Sequence, residues 1–132
     1  MGSILICSLT LNNLFRLSRM NTAIFLFPHY DDEFAVFEGI SRHIAAGDRV
    51  VVIYLTSSHT AGGDSEPRLK VSLHCLEKLG VDTSESLFTL GKKLGIPDLK
   101  LHTSLGLAYE GTLEIIKTIK NPVHIYTPAY EG

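Results

Sequence analysis

Two uninterrupted apolar segments constrain the fold of this chain more than any other feature of its sequence. Thr22 to Phe27 reads TAIFLF and Val50 to Leu55 reads VVVIYL, both rich in β-branched and aromatic residues. Strands without polar alternation are typical of parallel sheets, because helices cover both faces of such sheets. Between the two segments, apolar residues recur at helical spacing from Asp32 to Ala46, and Gly47 is a typical residue after a helix end. The sequence therefore predicts a strand, a helix and a second strand.

The rest of the chain continues this alternation. Helical spacing of leucines predicts a helix over Glu66 to Leu79, and apolar segments predict strands over Glu85 to Leu90 and Val123 to Tyr126. A third helix is predicted over Ser104 to Lys120, whereas Gly91 to Thr103 reads as a loop because glycine and proline interrupt it. Alternating strands and helices form right-handed βαβ units. The predicted fold class is α/β, a Rossmann-like three-layer sandwich with a mainly parallel sheet.

Length and composition bound the domain organisation and the classes of partner. The 132 residues are close to one domain at the usual ~150 residues per domain. We expect residues 1–19 to be a poorly ordered N-terminal extension and residues 20–132 to form the α/β domain. Twelve Lys and Arg against fourteen Asp and Glu give no indication of nucleic-acid binding. The apolar run Ile4 to Leu11 is far shorter than the ~18 residues of a membrane span, and the two cysteines favour a reducing, cytoplasmic location.

A dense group of polar residues follows the first strand, where open α/β sheets bind their ligands. His29 and Asp32 are three residues apart, so a tight turn can bring both side chains to one point. One nitrogen and one oxygen ligand are half of a zinc site of the type with two histidines and one carboxylate. Asp31 could then act as a base towards a water molecule. Acidic residues in the first turn of a helix also cap it and favour its dipole, and the residues alone leave both interpretations open.

Several segments resemble the PIG-L/LmbE-like N-acetylglucosaminyl deacetylases. The most specific is FPHYDDEF, followed by a helix, Gly47-Asp48-Arg49-Val50 and the strand VVIYLT. In that family a strand is followed by a His-Pro-Asp-Asp-Glu turn, a helix, a Gly-x-x-Val link and a strand that ends in Thr. Together with shorter similarities further along the chain, this segment extends the resemblance from Thr22 to Gly132. The shorter similarities are Arg68, Leu79-Gly80-Val81, Ile96-Pro97-Asp98 and Ile125-Tyr126-Thr127-Pro128.

The resemblance implies a Rossmann-like fold and a zinc-dependent hydrolase that removes an N-acetyl group from an amino sugar or a sugar conjugate. Carried over to this sequence, His29 and Asp32 would bind Zn²⁺, and Asp31 would be the catalytic general base. Arg68 matches an arginine that lines the substrate pocket in the family. The zinc ion would polarise the acetyl carbonyl and lower the pKa of its water, whose proton Asp31 would take. The implied partner is a small N-acetylated sugar-type molecule.

The sequence also departs from the family pattern. Tyr30 stands in place of a proline, Val71 in place of a glutamate, and Ser57-Ser58 in place of a frequent glycine. In the family, a Gly-Gly-His-x-Asp-His segment with the third zinc ligand follows the last matched strand, whereas this chain ends at Gly132. Catalytic zinc normally has three protein ligands. We therefore expect a C-terminally incomplete, deacetylase-like chain that is inactive or nearly so, with His59 as the best substitute ligand.

Two other classes of function fit parts of the sequence. A receiver domain has an acidic pocket after its first strand, but it also needs an Asp at the end of the third strand, where this chain reads Phe88-Thr89-Leu90-Gly91. A non-catalytic α/β binding or interaction fragment would associate through a sheet edge left open by the missing C-terminal part. Under this alternative we expect self-association through the incomplete C-terminal side.

Overall fold

The structure, a computed structural model, describes residues 20–57 and 66–128. Within these ranges strands and helices alternate along the chain. The strands are β1 (Thr22–Phe27), β2 (Arg49–Tyr54), β3 (Leu87–Phe88) and β4 (Pro122–Tyr126). The α-helices are α1 (Phe37–Ala45), α2 (Glu66–Leu79), α3 (Leu90–Leu94) and α4 (Leu105–Lys117), and short 3-10 helices cover Asp32–Val36 and Leu101–Thr103. The predictions for residues 1–19 and for His59 lie outside the described residues.

Within the described residues, four strands form one parallel sheet in the order β3-β2-β1-β4. β1 pairs with β2 over its whole length, from Thr22 opposite Arg49 to Phe27 opposite Tyr54. Most residues of these two central strands are buried, which explains why their sequences are continuously apolar. β4 pairs with the other side of β1 and is exposed along its length. The predicted α/β fold class is confirmed.

Helices cover both faces of the sheet, which gives three layers. Alternate residues of a strand point to opposite faces, so β1 and β2 contribute to two cores. The core under α1 and α2 contains Ala23, Phe25, Val50, Val52, Ile40 and Leu76. The core on the opposite face contains Ile24, Val51, Ile53, Leu90 and Ile119, with Leu94 and Ile115 packed against it. Each large side chain that is fully buried contributes about 1.5–3 kcal/mol of hydrophobic stabilisation.

The helix predicted after β1 begins differently in the structure. The sequence predicts one helix over Asp32 to Ala46 with Val36 and Phe37 on its apolar face. The structure has a 3-10 helix over Asp32–Val36, and the α-helix starts only at Phe37. Val36 and Phe37 are 37% and 50% exposed. A 3-10 helix has about 3.0 residues per turn against about 3.6 in an α-helix, so a different set of side chains faces the sheet.

The prediction of a loop over Gly91 to Thr103 is wrong. This segment contains most of α3 and a 3-10 helix, Leu101–Thr103. Gly91 lies directly on the end of β2, where a Cβ atom would overlap the backbone of Leu55 and Thr56. This glycine therefore permits close packing of a helix on a strand. β3 is correspondingly shorter than predicted and has two residues, Leu87–Phe88.

The helices are short. α2, with 14 residues, extends about 21 Å at ~1.5 Å per residue, whereas the hydrocarbon core of a bilayer is ~30 Å thick. In the part of the chain that the structure describes, no helix has both the length and the apolar character that crossing a membrane requires.

Candidate metal and substrate site

The turn after β1 brings the polar side chains of the candidate site together. β1 ends at Phe27, at the carboxyl edge of the sheet. Asp31 has a φ of +75°, in the left-handed region that aspartate enters more readily than most residues. Its backbone N–H donates a hydrogen bond to Ser72 Oγ at 3.0 Å, and the backbone N–H of His29 donates to Asp32 Oδ2 at 2.8 Å. These bonds fold the chain back so that the His29 and Asp32 side chains are neighbours.

His29 and Asp32 are a matched pair of candidate metal ligands. His29 Nδ1 lies 3.8 Å from Asp32 Oδ2, and the two side chains are 40% and 33% exposed. Two ligands bound to one zinc ion at ~2.0–2.2 Å in tetrahedral geometry lie about 3.3–3.5 Å apart, so a small side-chain rotation is sufficient. Imidazole nitrogen and carboxylate oxygen are donors that zinc prefers. The pair fits half of a zinc site.

The pair opens onto a cleft of about 960 Å³ at the carboxyl edge of β1. This volume is in the range of small-molecule sites. Most of the lining side chains are apolar, including Leu101 and Leu105, and His102 contributes a second imidazole to the walls. Among residues 20–57 and 66–128, no three His, Cys, Asp or Glu side chains are arranged so that they could hold a metal ion. The cleft therefore has two candidate ligands among the described residues.

Arg68 of α2 joins three parts of the site. Its Nε donates to Asp31 Oδ2 at 2.9 Å, and its terminal nitrogens donate to Asp98 Oδ2 and to the backbone carbonyl of Tyr30, each at 3.2 Å. The hydrogen bond to Asp31 is the main reason why the pKa of Arg68 is raised above its ordinary value. The Arg68 side chain is still 46% exposed, so its guanidinium group is accessible to a ligand as well.

Asp98 also belongs to the site, although the sequence analysis does not name it as a candidate catalytic or ligand residue. Ser57 N–H donates to the carbonyl of Ile96, and Asp98 N–H donates back to the carbonyl of Ser57. This bridge brings Asp98 to the end of β2, where the Thr56 hydroxyl donates to its Oδ1 at 2.7 Å. Because Thr56 and Asp98 are 42 residues apart, no local pattern indicates their contact. The weak similarity of Ile96-Pro97-Asp98 to the deacetylase family is the only indication in the sequence that Asp98 belongs to the site.

Asp31 occupies a different position from the two candidate ligands. Arg68 holds its Oδ2, and its Oδ1 lies 3.4 Å from Ser72 Oγ. Among the described residues, His29 and Asp32 line the cleft whereas Asp31 does not. The structure thus brings His29 and Asp32 together and places Asp31 beside Arg68, near the start of α2. The roles of these four residues in catalysis and binding remain predictions.

Glu33 lies inside the domain instead of at the surface, where a first-turn acid is usually found. It is fully buried, and Tyr54 donates its phenolic O–H to Glu33 Oε2 at 2.7 Å. Glu33 Oε1 has no hydrogen-bond partner within the described residues. Burial, and then the hydrogen bond to Glu33, raise the pKa of Tyr54 far above its ordinary value. Glu33 follows Asp32 directly, so this buried pair fixes the start of the 3-10 helix that carries Asp32.

Comparison of the chain with protein-family models, with curated proteins and with solved structures gives no match in any of the three. The fold is therefore established by the structure itself. The resemblance to PIG-L/LmbE-like deacetylases remains a prediction that depends on the motif and the geometry of its side chains.

Proposed function

We propose that this chain carries half of the zinc site of a hydrolase that removes an N-acetyl group from an amino sugar or a sugar conjugate. The observation that supports this most is the His29–Asp32 pair, whose donor atoms are 3.8 Å apart at the mouth of a large cleft. The position of the pair after a central parallel strand agrees with where α/β sheets bind ligands. The HYDDE sequence of this turn adds the resemblance to a known deacetylase motif.

Four polar residues of the site have a role in this proposal. His29 and Asp32 would bind the zinc ion, which when present polarises a carbonyl group and acidifies water. Asp31 would take the proton of the attacking water and pass it to the leaving amine. Arg68 holds Asp31 Oδ2 at 2.9 Å and is nearly half exposed, so it can orient this base and donate hydrogen bonds to the substrate.

The proposal is tested by adding N-acetylglucosamine to the zinc-loaded chain and following backbone amide signals by NMR. We expect the amide signals of cleft residues such as Leu101 and Leu105 to shift. In His29→Ala, we expect the shifts that depend on zinc to be absent. His74→Ala, on the exposed side of α2, is the control and should leave the shifts unchanged. Shifts that are absent, or that persist in His29→Ala, would contradict the proposal.

The proposed location is cytoplasmic. Cys75 carries a free thiol, and burial raises its pKa above the ordinary value. Free thiols are typical of reducing compartments. The location is part of the proposal because the fold itself is compatible with other compartments.

A second candidate function is association with another copy of the chain through β4. β4 is at the edge of the described sheet and all five of its residues are exposed. Val123 and Ile125 lie on one face of this strand and are 47% and 52% exposed. An edge strand of this kind offers unpaired backbone groups and apolar side chains to an identical strand. This alternative requires no metal.

A further inference from the structure

The end of α1 carries a hydrogen-bonded His–Asp pair that the proposed zinc site does not use. Gly47 follows the helix with a φ of +83°, a conformation that glycine adopts without steric cost. Asp48 N–H donates to the carbonyl of His43 at 2.9 Å and Gly47 N–H to that of Ile44 at 3.0 Å, the pattern of a Schellman cap. The cap turns the chain so that Asp48 Oδ2 lies 2.8 Å from His43 Nδ1.

The other ring nitrogen of His43 contacts a tyrosine hydroxyl. His43 Nε2 lies 2.8 Å from the hydroxyl oxygen of Tyr126 in β4. An ionised carboxylate only accepts hydrogen bonds, so His43 Nδ1 carries the proton that Asp48 accepts. In the tautomer with its proton on Nδ1, Nε2 is an acceptor, to which the Tyr126 O–H donates. The three groups form a chain from carboxylate to imidazole to phenol.

The Tyr126 side chain is held in place and remains accessible. It stacks on Phe25, its partner in the register of β1 and β4, with ring centroids 4.7 Å apart. It is 40% exposed, and it lines a pocket of about 440 Å³ between α1 and β4 as well as the larger cleft. Arg42, on the same turn of α1 as His43, and Glu38 also line this small pocket, which therefore holds a cation and a carboxylate.

We propose that Tyr126 is a nucleophile activated by His43 and Asp48, and that it accepts an acyl group from a small activated ester. A nucleophile, a base within hydrogen-bond reach of it and a third group that orients the base are the arrangement of an activated hydroxyl. The Tyr126 oxygen bonds to the acyl carbon while its proton passes to His43 Nε2. Asp48 stabilises the imidazolium, whose proton then goes to the oxygen of the leaving group. The products are an O-acyl tyrosine and an alcohol or phenol.

The pocket fits this class of acyl donor. Phe25, Ala35 and Val36 provide apolar surface for a short acyl or aryl group. The Arg42 guanidinium is suited to the negative charge that develops on the carbonyl oxygen during attack. Neither His29 nor Asp32 takes part in this acyl transfer, so it is independent of the proposed zinc chemistry.

The test is the rate at which p-nitrophenyl acetate acetylates each tyrosine of the chain, measured by peptide mass spectrometry in the presence of a metal chelator. Tyr109 is the internal comparison, because at 67% exposure it is more accessible than Tyr126. General-base assistance typically accelerates such a step by about 10²–10⁴-fold. We expect Tyr126 to react at least about tenfold faster than Tyr109. A rate equal to or below that of Tyr109 would overturn the proposal.

Three variants separate the relay from a purely structural hydrogen bond. His43→Gln and Asp48→Asn should each reduce the acetylation rate of Tyr126 towards that of Tyr109. His124→Gln is the matched control, since the His124 ring lies 5.5 Å from that of His43 but outside the relay, and it should leave the rate unchanged. Asp48→Asn keeps the imidazole of His43 in place, so this variant tests the relay if His43→Gln does not fold. An unchanged Tyr126 rate in folded Asp48→Asn would overturn the proposal.

Discussion

Glu33 and Tyr54 show how single residues beneath the site stabilise it. Glu33 is fully buried, and its hydrogen bond from Tyr54 is 2.7 Å long. A buried polar group costs free energy unless a hydrogen bond compensates for the loss of water. Because Glu33 is adjacent to Asp32 in the chain, the bond from Tyr54 stabilises both the core and the start of the 3-10 helix that presents a candidate zinc ligand.

Tyr54→Phe is therefore expected to lower the free energy of unfolding by about 1–3 kcal/mol at neutral pH. The substitution keeps the ring and removes only the hydroxyl group that Glu33 Oε2 accepts from. Urea denaturation followed by circular dichroism measures the change. Tyr109→Phe, at an exposed position, is the control and should stay within about 0.5 kcal/mol of the parent chain. Equal stability of the parent and Tyr54→Phe would contradict this account.

The raised pKa of Tyr54 also predicts a dependence of stability on alkaline pH. In the unfolded chain the phenol has its ordinary pKa of 10.0, whereas burial raises the pKa in the folded chain. The unfolded chain loses this proton first, so stabilisation that is present below pH 10.0 is lost as the pH rises above it. We expect this group to lower the free energy of unfolding by about 1.4 kcal/mol per pH unit in that region. Tyr54→Phe should lack this contribution; identical alkaline slopes in the two proteins would be the contrary result.

Arg68 and Asp98 illustrate how far single residues could be predicted. The family resemblance points to Arg68 by its position in the sequence, and in the structure Arg68 donates a hydrogen bond to Asp31. Asp98 reaches the same guanidinium group only because the Ser57–Pro97 bridge brings two distant segments together. A contact of this kind depends on tertiary structure, so the sequence around Asp98 carries no local indication of it.

Among the helices and strands, those with long periodic sequences are predicted well and the short ones are not. β1 and the helix over Glu66 to Leu79 have the bounds that their sequences predict, because a continuous apolar run and a leucine face are strong signals. α3 has five residues, too few for helical spacing to be visible. The loop prediction depends on Gly95 and Pro97, which follow α3, whereas Gly91 is required for close approach of α3 to the end of β2.

Gly91→Ala is expected to destabilise the chain by about 1–3 kcal/mol, the usual cost of overpacking. A methyl group at this position would overlap the backbone of Leu55 and Thr56, and backbone atoms cannot move aside as a side chain can. Thermal unfolding measures the effect. Gly106→Ala is the matched control, since it lies in α4 with no atom within 4 Å of the added group, and helix propensity favours alanine there by up to about 1 kcal/mol. Comparable losses in both variants would contradict the packing argument.

At the scale of the whole molecule, the strand order determines which surface is left open. Four parallel strands were predictable from alternating segments, but the position of β4 beside β1 was not. That pairing joins residues about a hundred positions apart, such as Phe25 and Tyr126, and it depends on how the connecting helices pack. Because β4 lies at the edge of the described sheet, its apolar side chains are exposed.

This exposed edge predicts self-association that depends on protein concentration. Sedimentation velocity should show a dimer that grows with concentration, and Ile125→Lys should shift the equilibrium to monomer because a charge on an edge strand opposes strand pairing. Val71→Lys is the matched control, an equally exposed apolar residue on α2 (54% against 52%), and should dimerise like the parent chain. A parent chain that stays monomeric at the highest concentrations would contradict the second candidate function.

The proposed binding of zinc by His29 and Asp32 at the carboxyl edge of β1 can be tested by measuring the zinc affinity in competition with a chelator. Four proteins are compared: the parent chain, His29→Ala, Asp32→Ala and the control His74→Ala. Loss of one of two ligands should weaken binding by at least about tenfold, since even indirect ligand partners are worth that much. We expect this loss in His29→Ala and Asp32→Ala, and an affinity equal to that of the parent chain in His74→Ala. The same zinc affinity in all four proteins would contradict it.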